Sequence, residues 1–206
     1  MTAATIEATP TRIYVASLTD YNAGRLHGVW ITIDSTVDID DVWSSINAML
    51  AASPEARSFP EGGPAEEWAV HDHEGFGPLQ LGEWPSIERV VAIAHAVDEA
   101  DEPDALLAWL AHDESNNEPD GFSDAYAGSW ESEDDFYREQ AETFVLDELA
   151  RGLDGVASYD GGDHLRRLWE QVENHIDEAA VGRSLCDGDY YLLATGGTVH
   201  AFRMDP

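Results

Sequence analysis

Two spacings of apolar residues, alternating and helical, divide the chain into short strands and helices. Arg12–Leu18 alternates apolar and polar positions and contains β-branched residues, so it predicts a strand; Val29–Ile33 predicts a second strand and Glu67–His71 a third. Tyr21–Gly24 carries turn-forming residues, and Ala52–Pro64 is rich in Ser, Pro and Gly. These two stretches predict a turn and a loop.

Helical spacing marks three further segments before residue 113. The first predicted helix, capped by Asp38 or Asp40, buries Val42, Ile46, Met49 and Leu50. Ser86 caps the second, which buries Ile87, Val90, Val91, Ala94 and Val97. Pro103 suits the first position of a third helix, which is predicted to bury Leu106, Leu107 and Leu110. Asp113–Gly121 then predicts a polar connector.

The stretch Trp130–Leu149 predicts a long helix with two distinct faces. Its apolar positions, at the spacing of a buried stripe, are Phe136, Ala141, Phe144, Val145 and Leu149. Its acidic positions, on another side, are Glu131, Asp135, Glu139 and Glu142. Carboxylates one turn apart lie roughly 6 Å from one another and repel. A solvated helix face is the simplest interpretation of such a ridge taken alone.

The other elements of the C-terminal part are shorter. In chain order, the pattern predicts an extended segment at Ala125–Trp130, a glycine-rich loop at Gly152–Gly162, helices at His164–Val172 and Ile176–Leu185, and a hairpin of Tyr190–Ala194 with Val199–Arg203 across Gly196–Gly197. The fold class is therefore α+β. We expect an elongated chain of three small units after a disordered lead at 1–11: an α+β unit at 12–75, a helical unit at 76–118 and an α+β unit with the closing hairpin at 119–206.

The most distinctive property of the sequence is its net negative charge. The chain carries 42 Asp and Glu against 10 basic residues, a formal charge of −32, and every basic residue is an arginine. Residues 1–75, 76–118 and 119–206 carry −9, −9 and −14, so the acid is spread over folded parts and is not an acidic tail. Such a field repels nucleic acid and anionic membranes and attracts basic partners. Neither a membrane span nor a signal peptide is predicted, and we expect a cytoplasmic protein.

Candidate catalytic and metal-binding residues are few. His71, Asp72, His73 and Glu74 are the right residue types for a metal site, but no second cluster accompanies them, and hydrogen-bonded loop histidines are the better interpretation. Cys186 is the single cysteine, which excludes an internal disulfide. Gly75–Gly77 lacks the third glycine of a dinucleotide fingerprint. We predict no catalytic residue, metal or cofactor.

Four blocks of sequence closely resemble the ArdA family of antirestriction proteins. They are RIYVASLTDYNAGRLHGVWI (Arg12–Ile31), AEEWAVHDHEGFGPLQLGEW (Ala65–Trp84), DAYAGSWESEDDF (Asp124–Phe136) and the ending YYLLATGGTVHAFR. Ala52–Pro64 and Gly152–His164 look expanded relative to the family. The resemblance implies a mimic of bent B-form double-stranded DNA, a homodimer joined through the C-terminal unit. Such a protein occupies the DNA groove of type I restriction–modification enzymes, against their specificity and modification subunits. It blocks restriction and often modification, and its gene is typically carried on a mobile element.

The net charge of two chains is of the size that a DNA mimic requires. Two chains carry −64, which at one charge per ~1.7 Å matches about 109 Å of duplex. The carboxylates that we expect to form the DNA-mimicking surface are Glu83, Glu88, Asp98, Glu99, Asp101, Glu102, Asp104, Asp113, Glu114, Glu131, Glu133, Asp134, Asp135, Glu139, Glu142, Asp147 and Glu148.

Two other interpretations come from different classes of protein. An acidic, lysine-free protein adapted to high salt would show the same composition with an unrelated function. An uncharacterised metal-dependent hydrolase would use the cluster His71–Glu74.

Overall fold

The computed structural model describes residues 9–113, 117–152, 167, 168, 170, 171, 175 and 177–204, with the backbone alone described for 145–152. Contacts group the chain into two compact units, Met1–Asp120 and Gly121–Pro206. Each unit contains a three-stranded antiparallel sheet accompanied by helices. The α+β class predicted from the sequence is confirmed, whereas a further division of the first unit at residue 76 stays a prediction.

The sheet of the first unit is built on its N-terminal strand. Strand β1 (Arg12–Ser17) lies between β2 (Gly28–Thr32) and β3 (Trp68–Glu74). Alternation buries Ile13 and Val15 completely on the core side. Thr11, the last residue of the predicted lead, is also buried, and its hydroxyl donates a hydrogen bond to the carbonyl of Ile33.

Helix α2 (Ile39–Ala51) contacts this sheet as the pattern predicts. It buries Val42, Ile46, Met49 and Leu50, the four expected residues. Asp38 is the N-cap: its Oδ1 accepts a 2.9 Å hydrogen bond from the Asp41 amide, and the Asp41 carboxylate accepts one of 3.2 Å from the Asp38 amide. This reciprocal capping box begins the helix at the residue after Asp38.

The predicted turn and loop of the first unit are partly wrong, because both contain short helices. Helix α1 (Leu18–Asn22), capped by Ser17, occupies the start of the predicted turn Tyr21–Gly24. Helix α3 (Pro54–Ser58), capped by Ser53, and a 3₁₀ turn (Pro60–Gly62) lie within Ala52–Pro64. Helices of five residues are too short to show an apolar stripe, and α3 buries none of its residues, so hydrophobic periodicity carries no signal for them.

Two longer helices complete the first unit. Helix α4 (Ile87–Glu99) begins after Ser86, whose hydroxyl caps the Arg89 amide, and buries four of the five predicted residues. The exception is Val97, which is half-buried, while Ile93 is buried instead. Helix α5 (Pro103–His112) buries Ala105–Leu110 without interruption, so it is enclosed on more sides than the three predicted leucines indicate.

The second unit places its last strand in the centre of its sheet. After a 3₁₀ turn (Pro119–Gly121) and α6 (Phe122–Ala125), the order is β4 (Tyr126–Trp130), β6 (Thr198–Arg203) and β5 (Tyr190–Thr195). The predicted hairpin is confirmed. Its turn residues Gly196 and Gly197 have φ angles of 58° and 91°, which glycine adopts without strain.

Two helices pack together in this unit. Helix α7 (Glu133–Gly152) begins three residues later than predicted, because the Ser132 hydroxyl caps the Asp135 amide. It buries Phe136 and Ala141 as predicted, but Phe144 is 43% exposed, so its predicted burial is wrong. Helix α8 (Glu178–Leu185), the predicted Ile176–Leu185 element, crosses α7 closely: a Cβ on Gly182 would lie 1.9 Å from the Tyr137 carbonyl oxygen.

Some predictions fall outside the described residues. These are the side chains of Val145 and Leu149, nearly all of the loop Gly152–Gly162 and most of the helix His164–Val172.

A candidate acidic interaction surface

Seven of the arginines that the structure describes have partners within the chain. Five of them form ion pairs: Arg12 with Glu74, Arg25 with Glu55, Arg89 with Glu118, Arg138 with Asp135 and Glu178, and Arg183 with Asp134. Arg57 and Arg203 donate to backbone carbonyls. Ten arginines cannot offset 42 acidic residues, so the chain keeps a large excess of negative charge.

A group of exposed carboxylates lies where α4 meets the loop before α2. We call it the acidic edge; it comprises Asp34, Asp38, Asp40, Asp41, Asp98, Glu99, Asp101, Glu102 and Asp104, all exposed. Two hydrogen bonds join its parts: the Ser35 amide donates to Asp98 at 3.1 Å, and Nε2 of His95 donates to the Val37 carbonyl at 2.9 Å. The loop before α2 and the end of α4, more than 50 positions apart in sequence, thereby lie together, and the remaining acids of the group are close to them in sequence.

The position of Asp98 and Glu99 on α4 is unfavourable for the helix itself. Both lie in its last turn, where no basic residue is present. Carbonyl groups give a helix C-terminus partial negative charge, so carboxylates there are repelled. By contrast Glu133, Asp134 and Asp135 lie in the first turn of α7, where the dipole favours them. Helix stability therefore accounts for the acids that begin α7 but not for those that end α4.

Local hydrogen bonds keep part of this surface ionised. The hydroxyl and amide of Thr36 donate to Asp34 at 2.6 and 2.9 Å and lower its pKa. Hydrogen bonding to Ser35 lowers the pKa of Asp98, although the neighbouring Asp34 opposes it. The backbone amide of Glu88 and the Ser86 hydroxyl likewise lower the pKa of Glu88. Each donor favours the charged form of the carboxylate that it contacts.

The acidic ridge predicted on α7 differs from the expectation in two ways. Glu131 precedes the helix and is not part of a helical ridge. Asp135 accepts from the Ser132 hydroxyl and from Arg138, and Glu139 accepts from the Trp130 indole at 2.8 Å. These two carboxylates therefore stabilise the fold through hydrogen bonds as well as contributing negative charge to the surface.

The predicted surface residues are largely solvent-exposed. Those that are exposed are Glu83, Glu88, Asp98, Glu99, Asp101, Glu102, Asp104, Glu131, Glu133, Asp134 and Glu139. Those that are half-buried are Asp113, Asp135 and Glu142. Glu114 and the side chains of Asp147 and Glu148 lie outside the described residues. The sequence-based list left out Asp34, Asp38, Asp40 and Asp41, since a helix cap and a loop give no charge pattern of their own.

The residues weighed as a metal or nucleophile site have structural partners. Arg12 binds Glu74, and the rings of His71 and His73 pack edge-on against Tyr21 and Phe76. A bulge after Val70 leaves His71 out of the β1–β3 pairing. No group of three or more His, Cys, Asp or Glu that could hold a metal occurs among the residues that the structure describes.

Cys186 lies in the core of the second unit. It is buried with Phe136 and Ala201, and burial raises the pKa of its thiol. A protonated, enclosed thiol is a poor nucleophile.

The chain is similar over most of its length to one known protein family. The family model described as Antirestriction protein (ArdA) matches residues 13–200. No curated protein and no solved structure matches the chain. Among the helices that the structure describes, none has both the length and the apolar character to cross a bilayer. Because the match covers nearly the whole sequence, the chain belongs to the ArdA family of antirestriction proteins.

Proposed function

We propose that this protein inhibits type I restriction–modification enzymes by presenting its carboxylates in place of DNA phosphates. The observation that carries the proposal is the acidic edge, a group of exposed acids that includes Asp98 and Glu99 at a helix C-terminus, where the helix dipole disfavours them. The partner is the basic groove in which the specificity and modification subunits hold duplex DNA. Restriction is blocked, and modification with it, because both require that groove.

Such a mimic can compete with DNA through its charge alone, without imitating the edges of the bases. Most of the affinity of proteins for DNA comes from neutralised phosphates and released counterions, and base contacts add specificity. A surface that supplies negative charges at similar density competes for the same basic groove. Such competition weakens as salt rises.

The proposal includes a homodimer joined through the second unit. One chain carries −32, which at the charge density of duplex DNA corresponds to about 54 Å, whereas two chains reach about 109 Å. A mimic of bent B-form DNA three turns long therefore needs both chains. Sedimentation of the inhibited complex tests this point, and a single chain per occupied groove would contradict it.

Titration of a purified type I enzyme tests the function directly. Labelled duplex carrying the enzyme's recognition site is held at a fixed concentration, and the full-length protein is added at several salt concentrations. We expect displacement of the DNA, loss of cleavage and methylation, and weaker inhibition at higher salt. Unchanged DNA binding at a large excess of the protein would refute the proposal.

A further inference from the structure

An open cleft in the first unit combines aromatic and acidic walls. We call it the tryptophan cleft; its volume is about 500 Å³, and Leu18, Glu66, Glu67, Trp68 and Trp84 line it. Three backbone contacts form it. The Leu18 amide donates to the Glu67 carbonyl, Trp68 pairs with Ser17 across the sheet, and the Val70 amide donates to the Glu83 carbonyl.

The two tryptophans of the cleft are held in different ways. Trp68 is half-buried, and its ring packs edge-on against Trp43 with centroids 5.6 Å apart. Trp84 is 69% exposed, although it follows a segment bonded to strand β3. Gly82, with a φ of 73°, makes the bend just before it. A large aromatic ring that the fold leaves in water beside a second ring is a feature of binding surfaces.

The charges of the cleft select the kind of ligand. Its two ionisable lining residues, Glu66 and Glu67, are both exposed acids. Indole faces attract cations, and a guanidinium group can stack on a ring while its N–H groups donate to a carboxylate. The overall charge of −32 draws cations toward the molecule and repels phosphate-bearing ligands.

We propose that the tryptophan cleft receives an arginine side chain of the protein partner. The proposal deepens the function proposed above and rests on it, since a groove built to bind DNA presents arginines to whatever occupies it. Phosphate mimicry requires only diffuse charge, whereas this cleft adds one contact with a defined geometry. It supplies a short-range anchor that duplex DNA does not have.

A short peptide tests the cleft without the enzyme. The probe is acetyl-Gly-Arg-Gly-Arg-Gly-amide, and its control is the same peptide with citrulline, a neutral isostere, in place of both arginines. Isothermal titration with the full-length protein should show binding of the arginine peptide and binding weaker by about fivefold or more for the citrulline peptide. Equal binding of the two peptides would overturn the proposal.

Matched variants locate the binding. Trp84→Ala and the pair Glu66→Gln/Glu67→Gln should each weaken the arginine peptide by about threefold or more. The control pair Glu61→Gln/Asp120→Asn removes the same charge from exposed residues of the first unit that do not line the cleft, and it should change binding less than twofold. Equal losses in the two charge pairs would mean that only the overall field attracts the peptide, and the proposal would fail.

An inhibition assay separates this inference from the proposed function. We expect Trp84→Ala to inhibit the type I enzyme about threefold or more less well than the unchanged protein. If both inhibit equally, the cleft is no anchor, while the proposed function stands. If the unchanged protein does not inhibit, the proposed function fails, and the partner named here fails with it.

Discussion

The carboxylate of Asp98 accepts a 3.1 Å hydrogen bond from the backbone amide of Ser35, 63 residues earlier in the chain. This bond joins the end of α4 to the loop that follows β2. It also brings Asp98 near Asp34, whose charge opposes ionisation of Asp98. Two like charges are thus held together by the fold, and hydrogen bonds from Ser35 and Thr36 favour their charged forms, which is the arrangement that a phosphate mimic requires.

The acidic edge should act through its summed charge. We expect Asp98→Asn alone to change inhibition by less than about threefold, because single exposed charge contacts contribute little. The combined change Asp98→Asn/Glu99→Gln/Asp101→Asn/Asp104→Asn should weaken inhibition by about tenfold or more at low salt. Its free energy of unfolding should change little, because relief of repulsion at the end of α4 is offset by a weaker hydrogen bond from Ser35 to residue 98 and by loss of the favourable charge of Asp104 in the first turn of α5. Competition against labelled DNA and urea denaturation measure the two effects. One single variant that abolished inhibition would contradict the summed-charge explanation.

Neutralising the carboxylates at the start of α7 should have a different effect on folding. We expect Glu131→Gln/Asp135→Asn/Glu139→Gln/Glu142→Gln to weaken inhibition but to lower the urea midpoint. The reason is that Asp135 and Glu139 accept bonds from Ser132, Arg138 and Trp130, which amides replace poorly. Repulsion along a simple ridge predicts the opposite sign, a higher midpoint. Urea denaturation of this variant, with the acidic-edge variant measured beside it, shows whether loss of hydrogen bonds or relief of repulsion dominates at α7.

Asp20 should be the carboxylate on which stability of the first unit depends. It is fully buried and accepts hydrogen bonds from Ser17 at 2.7 Å and from the Glu55 amide at 2.8 Å. Asp20→Asn should lower the free energy of unfolding by about 1–3 kcal/mol. The exposed control Asp40→Asn should leave the urea midpoint almost unchanged. A smaller loss for Asp20 than for Asp40 would contradict the role assigned to it.

The same residue predicts a dependence on pH. Burial by itself raises the pKa of Asp20, but hydrogen bonds with Ser53, Ser17 and the Glu55 amide outweigh it, so the pKa lies below its ordinary 3.8. A lowered pKa in the folded state contributes stability that is fully present above the unfolded-state pKa. That contribution is lost as the pH falls through the folded-state value. Below about pH 4, the unfolding free energy of Asp20→Asn should therefore fall less steeply with pH than that of the unchanged protein.

The close approach of α7 and α8 should tolerate no side chain at Gly182. A methyl group there would lie 1.9 Å from the Tyr137 carbonyl oxygen, which is backbone and cannot rotate away. Gly182→Ala should lower the free energy of unfolding by about 1–3 kcal/mol as the helices separate. Gly62→Ala is the control, because nothing lies within 4 Å of the position of its Cβ. Thermal unfolding followed by circular dichroism compares the two, and equal midpoints would refute the packing described.

The histidines of β3 should be dispensable for inhibition. His71→Ala and His73→Ala remove ring contacts with Tyr21 and Phe76 but no ion pair. We expect inhibition within about threefold of the unchanged protein and no effect of a chelator on it. A large loss in a variant that retains its circular dichroism spectrum, or loss of inhibition on chelation, would revive the metal-dependent alternative.

Sequence alone was sufficient where a structural rule is local. Helical spacing identified the four buried residues of α2, and the two candidate caps Asp38 and Asp40 placed its start to within two residues, of which the structure uses Asp38. Adjacent glycines located the final hairpin at Gly196–Gly197, because left-handed turn conformations leave few other choices. The charge of −32 and the four blocks of family likeness were also visible in the sequence, and the family match confirms the likeness.

Tertiary structure decided which charges are engaged and which are not. Arg12 meets Glu74, Arg183 meets Asp134, and Asp98 meets Ser35 across separations of 49 to 63 residues. No periodic pattern encodes such pairs, because the partners come together only when separate elements pack. The same reason explains why Asp20 is buried whereas the other acids that the structure describes are exposed or half-buried, and why Trp68 and Trp84 line one cleft. Local chemistry specified the elements and the total charge, and packing between distant segments determined how that charge is distributed over the surface.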